Sequence, residues 1–242
     1  MASLKIVVLR AGDTPPDVAR EEGQFTGFIR RAADGAGRGE VAWTEIDLRT
    51  DGALPDPSAF DAFVMTGSSH SVTERAPWML RGQAYLRELV DRRRPFFGIC
   101  FGHQMLAEAL GGAVQKNPNG REIGTITVDA TAEGDQDPIF RDLPRPLRVN
   151  ATHTDAVVTP PSGARHLATS SLDPYAAFAI GDTARAVQFH PEFHAAVMRG
   201  YVRARAHLID AEGLSHAEIL ATVTETPDGA GILRNFVRHF IP

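Results

Sequence analysis

Pro95-Phe96-Phe97-Gly98-Ile99-Cys100-Phe101-Gly102-His103-Gln104 decides how this 242-residue chain is read. An apolar run ends at Gly-x-Cys-x-Gly, and a helical pattern over residues 104–110 follows at once. Strand, sharp turn and helix in that order hold a nucleophile at the top of a parallel sheet. The glycines have a steric reason: a tight elbow presses helix against strand, and side chains at Gly98 or Gly102 would collide with one or the other. Cys100 is the only cysteine. It falls at a helix start, where free N–H groups and the helix dipole favour an anion. A lone cysteine is also a common small core residue, so the elbow alone leaves a catalytic and a packing role open.

Further along, the apolar run 184–189 leads into His190-Pro191-Glu192-Phe193. A cysteine nucleophile needs a base, and the base needs a group that orients it and favours its charged form. His190 suits the first role. Glu192, two residues on and so on the same side of an extended chain, suits the second. Pro191 stiffens the link between them. His-x-Glu alone reads as a surface turn; joined to the elbow it reads as the rest of a Cys-His-Glu set.

These two segments resemble the class I (triad-type) glutamine amidotransferase domain, whose pattern is Gly-x-Cys-x-Gly-x-Gln followed by His-Pro-Glu. The resemblance implies a triad of Cys100, His190 and Glu192 that attacks the side-chain amide of glutamine. A γ-glutamyl thioester forms, ammonia leaves, and water releases glutamate. It implies an oxyanion hole from the Phe101 amide and the turn Thr66-Gly67-Ser68-Ser69, with Gly67 or Ser68 as the second donor. It also implies a glutamine pocket lined by Gln104, Ser68 and the strand edge Thr152-His153-Thr154-Asp155. His153 has a plainer reading too, as a hydrogen-bonded partner of Asp155 at a turn. Neither a cofactor nor a metal is expected. His190 and His194 are four apart, but Pro191 fits poorly in the continuous helix that a zinc pair needs.

Around these motifs, strand-like runs alternate with helical patterns. This predicts an α/β fold: a flavodoxin-like three-layer sandwich, a mostly parallel sheet with helices on both faces and a nucleophile elbow. Strands are expected at residues 4–9, 41–46, 62–65, 96–99, 123–128, 147–150, 156–158, 176–180 and 186–189. Helices are expected at 17–32, 78–92 and 104–110, with Gly111-Gly112 as the stop. The proline-rich stretch 138–146 reads as an exposed loop, and Gly120-Arg121-Glu122-Ile123-Gly124 is given only a structural role. Residues 1–193 are read as the amidotransferase domain. Residues 194–242 are read as a helical C-terminal extension packed on it, with helices at 195–211, 215–222 and 229–240. Ser215 and Glu218 carry a capping-box signal for the middle one.

A hydrophobic content of 43% and a charged content of 23% suit a globular chain able to bury a core. The net charge of −5 argues against nucleic-acid binding, which wants a basic surface. One cysteine fits a reducing compartment, no apolar run approaches membrane-span length, and the start Met1-Ala2-Ser3-Leu4-Lys5 leaves no room for a signal peptide. A cytoplasmic protein without membrane attachment is expected. Three functions stay open: an amidotransferase whose synthetase or acceptor site lies on a separate chain, a stand-alone hydrolase of γ-glutamyl amides or peptides, and a catalytically inactive binding protein. A dienelactone-type hydrolase shares Gly-x-Cys-x-Gly but has no use for Gln104 or Glu192.

Overall fold

The apolar runs assemble into a nine-stranded sheet between helical layers in the computed structural model, which describes residues 3–36 and 40–241. In chain order the elements are β1 (Leu4–Arg10), α1 (Pro16–Glu21), α2 (Phe25–Ala32), β2 (Val41–Asp47), β3 (Ala62–Met65), α3 (Pro77–Asp91), β4 (Phe96–Ile99) and α4 (Phe101–Ala109). There follow β5 (Ala113–Lys116), β6 (Glu122–Ala130), α5 (Ala132–Gln136), β7 (Leu147–His153), β8 (Asp155–Thr159), β9 (Ala164–Ser170), β10 (Ala177–Ile180) and β11 (Ala184–Val187). The chain then runs through α6 (Ala195–Ala204), α7 (Ala206–Ala211), α8 (His216–Thr222) and α9 (Pro227–Phe240).

The sheet order begins β2-β1-β3-β4-β11, the flavodoxin-like order with β11 in fifth place, and these strands run parallel. Antiparallel ladders extend the sheet through β10, β9, β6 and β7, while β5 and β8 form a separate pair. Strand periodicity separates two cores. Ile6, Val8, Ala62, Val64, Phe97 and Ile99 face one helical layer with α2 and α9. Val7, Leu9, Phe63, Met65 and Phe96 face the other, with α3 and α4. Both faces of β1, β3 and β4 are therefore apolar, as a parallel sheet covered on each side requires.

Several boundaries differ from the sequence reading. The helix expected at 17–32 is broken into α1 and α2, because Gly23 adopts φ +99°. The helix expected at 195–211 divides into α6 and α7 at Arg205, which leaves helical geometry with φ −108° and ψ 8°. Strands β5 and β9 were not expected. The polar residues in Ala-Arg-His-Leu-Ala-Thr-Ser weaken the pattern of β9, which becomes a strand by pairing between β10 and β6. The 138–146 stretch is not simply an exposed loop. Ile139 and Phe140 are fully buried in a 3-10 turn, and the Asn235 side-chain amide on α9 donates to the carbonyls of Ile139 and Arg141.

Helix α9 completes one layer. Ile232, Leu233, Phe236 and Val237 join the sheet core, and the Phe236 ring lies 5.1 Å from that of Phe97 on β4. Among the described residues no helix is long and apolar enough to cross a membrane. Phe236→Ala should lower the free energy of unfolding by about 3–5 kcal/mol, the cost of removing a buried phenylalanine. Urea titration measures it, and a loss below about 1 kcal/mol would mean that α9 is no part of the core.

Candidate active site

The elbow is tighter than its sequence spacing alone conveys. A Cβ on Gly98 would stand 2.6 Å from the Gly102 carbonyl oxygen, and one on Gly102 would stand 2.7 Å from the Met65 carbonyl oxygen at the end of β3. Neither separation is tolerable, so β4, α4 and β3 meet only because both positions lack a side chain. Cys100 absorbs the sharp change of direction with φ +52° and ψ −100°, a strained conformation for a residue with a Cβ. Its Sγ lies 3.9 Å from the Thr152 carbonyl oxygen and accepts from the Gln188 side-chain amide at 3.5 Å.

β11 lies beside β4, so the chain leaving β11 carries His190 to the elbow. The His190 amide donates to the Asn150 carbonyl at 2.7 Å, and the Asn150 side chain donates to the Phe193 carbonyl. These bonds pin the His190–Phe193 turn to β7. His190 Nδ1 is 2.8 Å from Glu192 Oε1, and both side chains are almost fully buried. The Phe193 ring stacks on the imidazole at 4.0 Å. Burial works against an imidazolium here, but the charge of Glu192 and the charge and hydrogen bonding of Cys100 outweigh it and raise the His190 pKa to about 10. His103, fully buried against the Phe178 ring, shows the opposite outcome. With no carboxylate beside it, burial holds its pKa down to about 3.

An open cleft of about 620 Å³ leads to Cys100. Phe101, Gln104, Ser68, Thr152, His153 and Asp155 all line it. Phe101 opens α4, so its N–H is one of those the helix itself leaves unused. Gly67 is not on the cleft wall but lies against the histidine: a Cβ there would meet His190 Cε1 at 2.7 Å. The Ser68 hydroxyl donates to the Ala11 carbonyl and so anchors the turn to the end of β1. Gln104 donates to the Asp155 carbonyl and to the Gln188 side chain. His153 meets the Asp155 carbonyl oxygen, and through Nε2 the buried Glu122 at 3.0 Å; the Asp155 carboxylate accepts from Ser71. His153 burial is outweighed by the Glu122 hydrogen bond and charge, so its pKa is raised.

Four residues near the site escaped the sequence reading. Gln188 lies two places before His190 in the same extended run and touches Cys100, a relation that period-two spacing could have shown. Arg121 lines the cleft and is held by Glu212 of the C-terminal region. Tyr201 and Arg205 belong to α6 and its end; Tyr201 packs 4.7 Å from Phe193, and Arg205 lines the cleft. Nothing local marks the last three, because only the fold brings residues so far along the chain to the elbow. His194 pairs with Glu22 at 3.5 Å. Among the described residues no group of three or more His, Cys, Asp or Glu could hold a metal ion.

The family model for class-I glutamine amidotransferases matches residues 24–205. The chain belongs to this family. It is 34% identical to gamma-glutamyl peptidase 4 of Arabidopsis thaliana over 60% of its length, and the match spans 59% of that relative, short of two thirds. It is 37% identical to a glutamine-hydrolyzing GMP synthase subunit of Saccharolobus solfataricus, over 55% of this chain and 68% of the relative. Among solved structures, a glutamine amidotransferase from Thermotoga maritima superposes with a TM-score of 0.75 at 24% identity, covering 99% of each chain. That likeness shows the shared fold.

Because the folded His190 value lies above the ordinary 6.5, its charge stabilises the fold fully below about pH 6.5 and ceases to as pH rises through about 10. Side-chain NMR of His190 should find the ring protonated at neutral pH, and Glu192→Gln should bring the midpoint down. A wild-type midpoint at or below 6.5 would contradict the electrostatics of the site.

Proposed function

We propose that the chain hydrolyses γ-glutamyl amides, with the side-chain amide of glutamine the simplest, through a thioester on Cys100. The observation that carries this reading is the linked set that begins at Cys100 on the cleft wall. Cys100 stands at a strained elbow, a charged imidazole lies beside it, and Glu192 is 2.8 Å behind that imidazole. His190 holds the proton of the Cys100 thiol, and the thiolate attacks the γ-carbonyl carbon. The oxygen of the tetrahedral adduct is received by the Phe101 N–H and a donor of the Gly67–Ser68 turn. His190 gives its proton to the departing nitrogen as the C–N bond breaks, leaving the acyl group on sulfur. Water then gives a proton to His190 and its oxygen to the acyl carbon. The C–S bond breaks, the thiolate is restored beside the charged imidazole, and glutamate leaves. Glu192 keeps the imidazole oriented and charged without taking its proton. Gln104, Ser68, Thr152, His153 and Asp155 form the wall that receives the glutamyl half.

For glutamine the leaving molecule is ammonia, passed to an acceptor or synthetase on a separate chain. The archaeal relative is by name one subunit of a synthase, which supports such a partner. A second reading, a γ-glutamyl peptidase acting alone, is favoured by the open cleft of about 620 Å³, roomier than glutamine needs, and by the peptidase relative. In either reading residues 1–193 are the catalytic domain, and residues 194–242 an extension that also walls the cleft.

The test is glutamate and amine release by the purified chain from glutamine and a panel of γ-glutamyl peptides. Cys100→Ala and His190→Ala should each lower turnover at least about a thousandfold without changing Tm, and Glu192→Gln should cost less than either. Turnover that persists in Cys100→Ala would refute the mechanism.

A further inference from the structure

Arg205 sits at the break between α6 and α7 and lines the same cleft as Cys100, together with its neighbours Ala204 and Leu208. Its guanidinium lies 4.6 Å above the Tyr201 ring. Its Nη1 is shut off from solvent and has no hydrogen-bond partner, and among the described residues no carboxylate pairs with it. The other charged side chains on the cleft wall are all engaged. Asp17 pairs with Arg20, His70 with Glu74 and His153 with Glu122. Asp155 accepts from Ser71, and Arg121 is bound through two hydrogen bonds by Glu212. A half-buried cation with no carboxylate partner, in a cleft that opens to a nucleophile, is a site for an anionic ligand group.

We propose that Arg205 receives the free carboxylate of the departing amino acid of a γ-glutamyl dipeptide, and so sets specificity for γ-glutamyl amino acids over glutamine. This rests on the γ-glutamyl amide reading above. On the departing side glutamine offers nothing beyond its amide nitrogen, so this pairing is not made with glutamine. A departing amino acid carries a carboxylate two bonds from the scissile nitrogen, and a planar guanidinium grips a carboxylate through two parallel hydrogen bonds. Leu208, 43% exposed, and the Pro15-Pro16 edge supply apolar surface on the same cleft for the departing side chain. Stacking on Tyr201 holds the guanidinium in place before the ligand arrives.

The experiment compares γ-glutamyl-leucine, γ-glutamyl-leucinamide and glutamine as substrates of the full chain and of Arg205→Met and Arg205→Lys. In the wild type kcat/KM for the free acid should exceed that for the amide by about tenfold or more, chiefly through KM, as one charge-assisted pair would give. That ratio should fall to near one in Arg205→Met and be partly kept in Arg205→Lys. The wild-type ratio needs no variant to fold; near one, it overturns the proposal. So does an unchanged ratio in Arg205→Met, or an equal loss on glutamine, which would place Arg205 on the glutamyl half. Cys100-dependent hydrolysis of glutamine alone would overturn this proposal and leave the amide-hydrolase reading standing. No Cys100-dependent turnover of any of the three would remove both.

Discussion

The close approach of β4 to the start of α4 is the constraint on which the site depends. A methyl group on Gly98 would collide with the backbone of Gly102, and one on Gly102 with Met65 at the end of β3. With both neighbours fixed, the turn has one residue in which to change direction, and Cys100 takes a positive φ to do it. The strain, of the order of 1–3 kcal/mol for such a conformation, is borne by a sheet whose central strands are fully buried. The result is a sulfur at the base of the cleft, next to helix N–H groups and beside the strand that delivers His190.

Burial then sets the electrostatics. Of the three histidines buried in this region, His103 and His190 have pKa values driven apart by what stands next to each. His103 has an aromatic neighbour and stays neutral; His190 has a carboxylate and a sulfur and stays charged. The backbone bridge between Asn150 and His190 and the Asn150 side-chain bond to the Phe193 carbonyl hold the turn in that geometry. The antiparallel half of the sheet therefore serves the parallel half: β7 brings Asn150, Thr152 and His153 to the elbow.

Much of this was legible in the sequence, for physical reasons that can be named. Gly98 and Gly102 flank Cys100 because the elbow admits no side chain there, and Glu192 follows His190 at a spacing that an extended chain keeps on one side. Runs buried on both faces, such as residues 62–65 and 96–99, betray parallel strands by their uniform apolarity. What stayed hidden was made by tertiary contact. β9 owes its existence to partners on either side, the helix break at Arg205 has no glycine or proline to announce it, and Ile139 and Phe140 are covered only because α9 returns to the sheet. Arg121 lies in a segment given only a structural role and Arg205 inside an expected helix, until the fold sets both on one cleft.

The most direct test of the central claim is mass spectrometry of the chain quenched in acid during turnover of glutamine or a γ-glutamyl peptide. A glutamyl thioester on the peptide that contains Cys100, present during turnover and gone once substrate is exhausted, is the predicted result. Sustained turnover with Cys100 unmodified at every time, or a glutamyl group carried on another residue, would contradict covalent catalysis at the elbow.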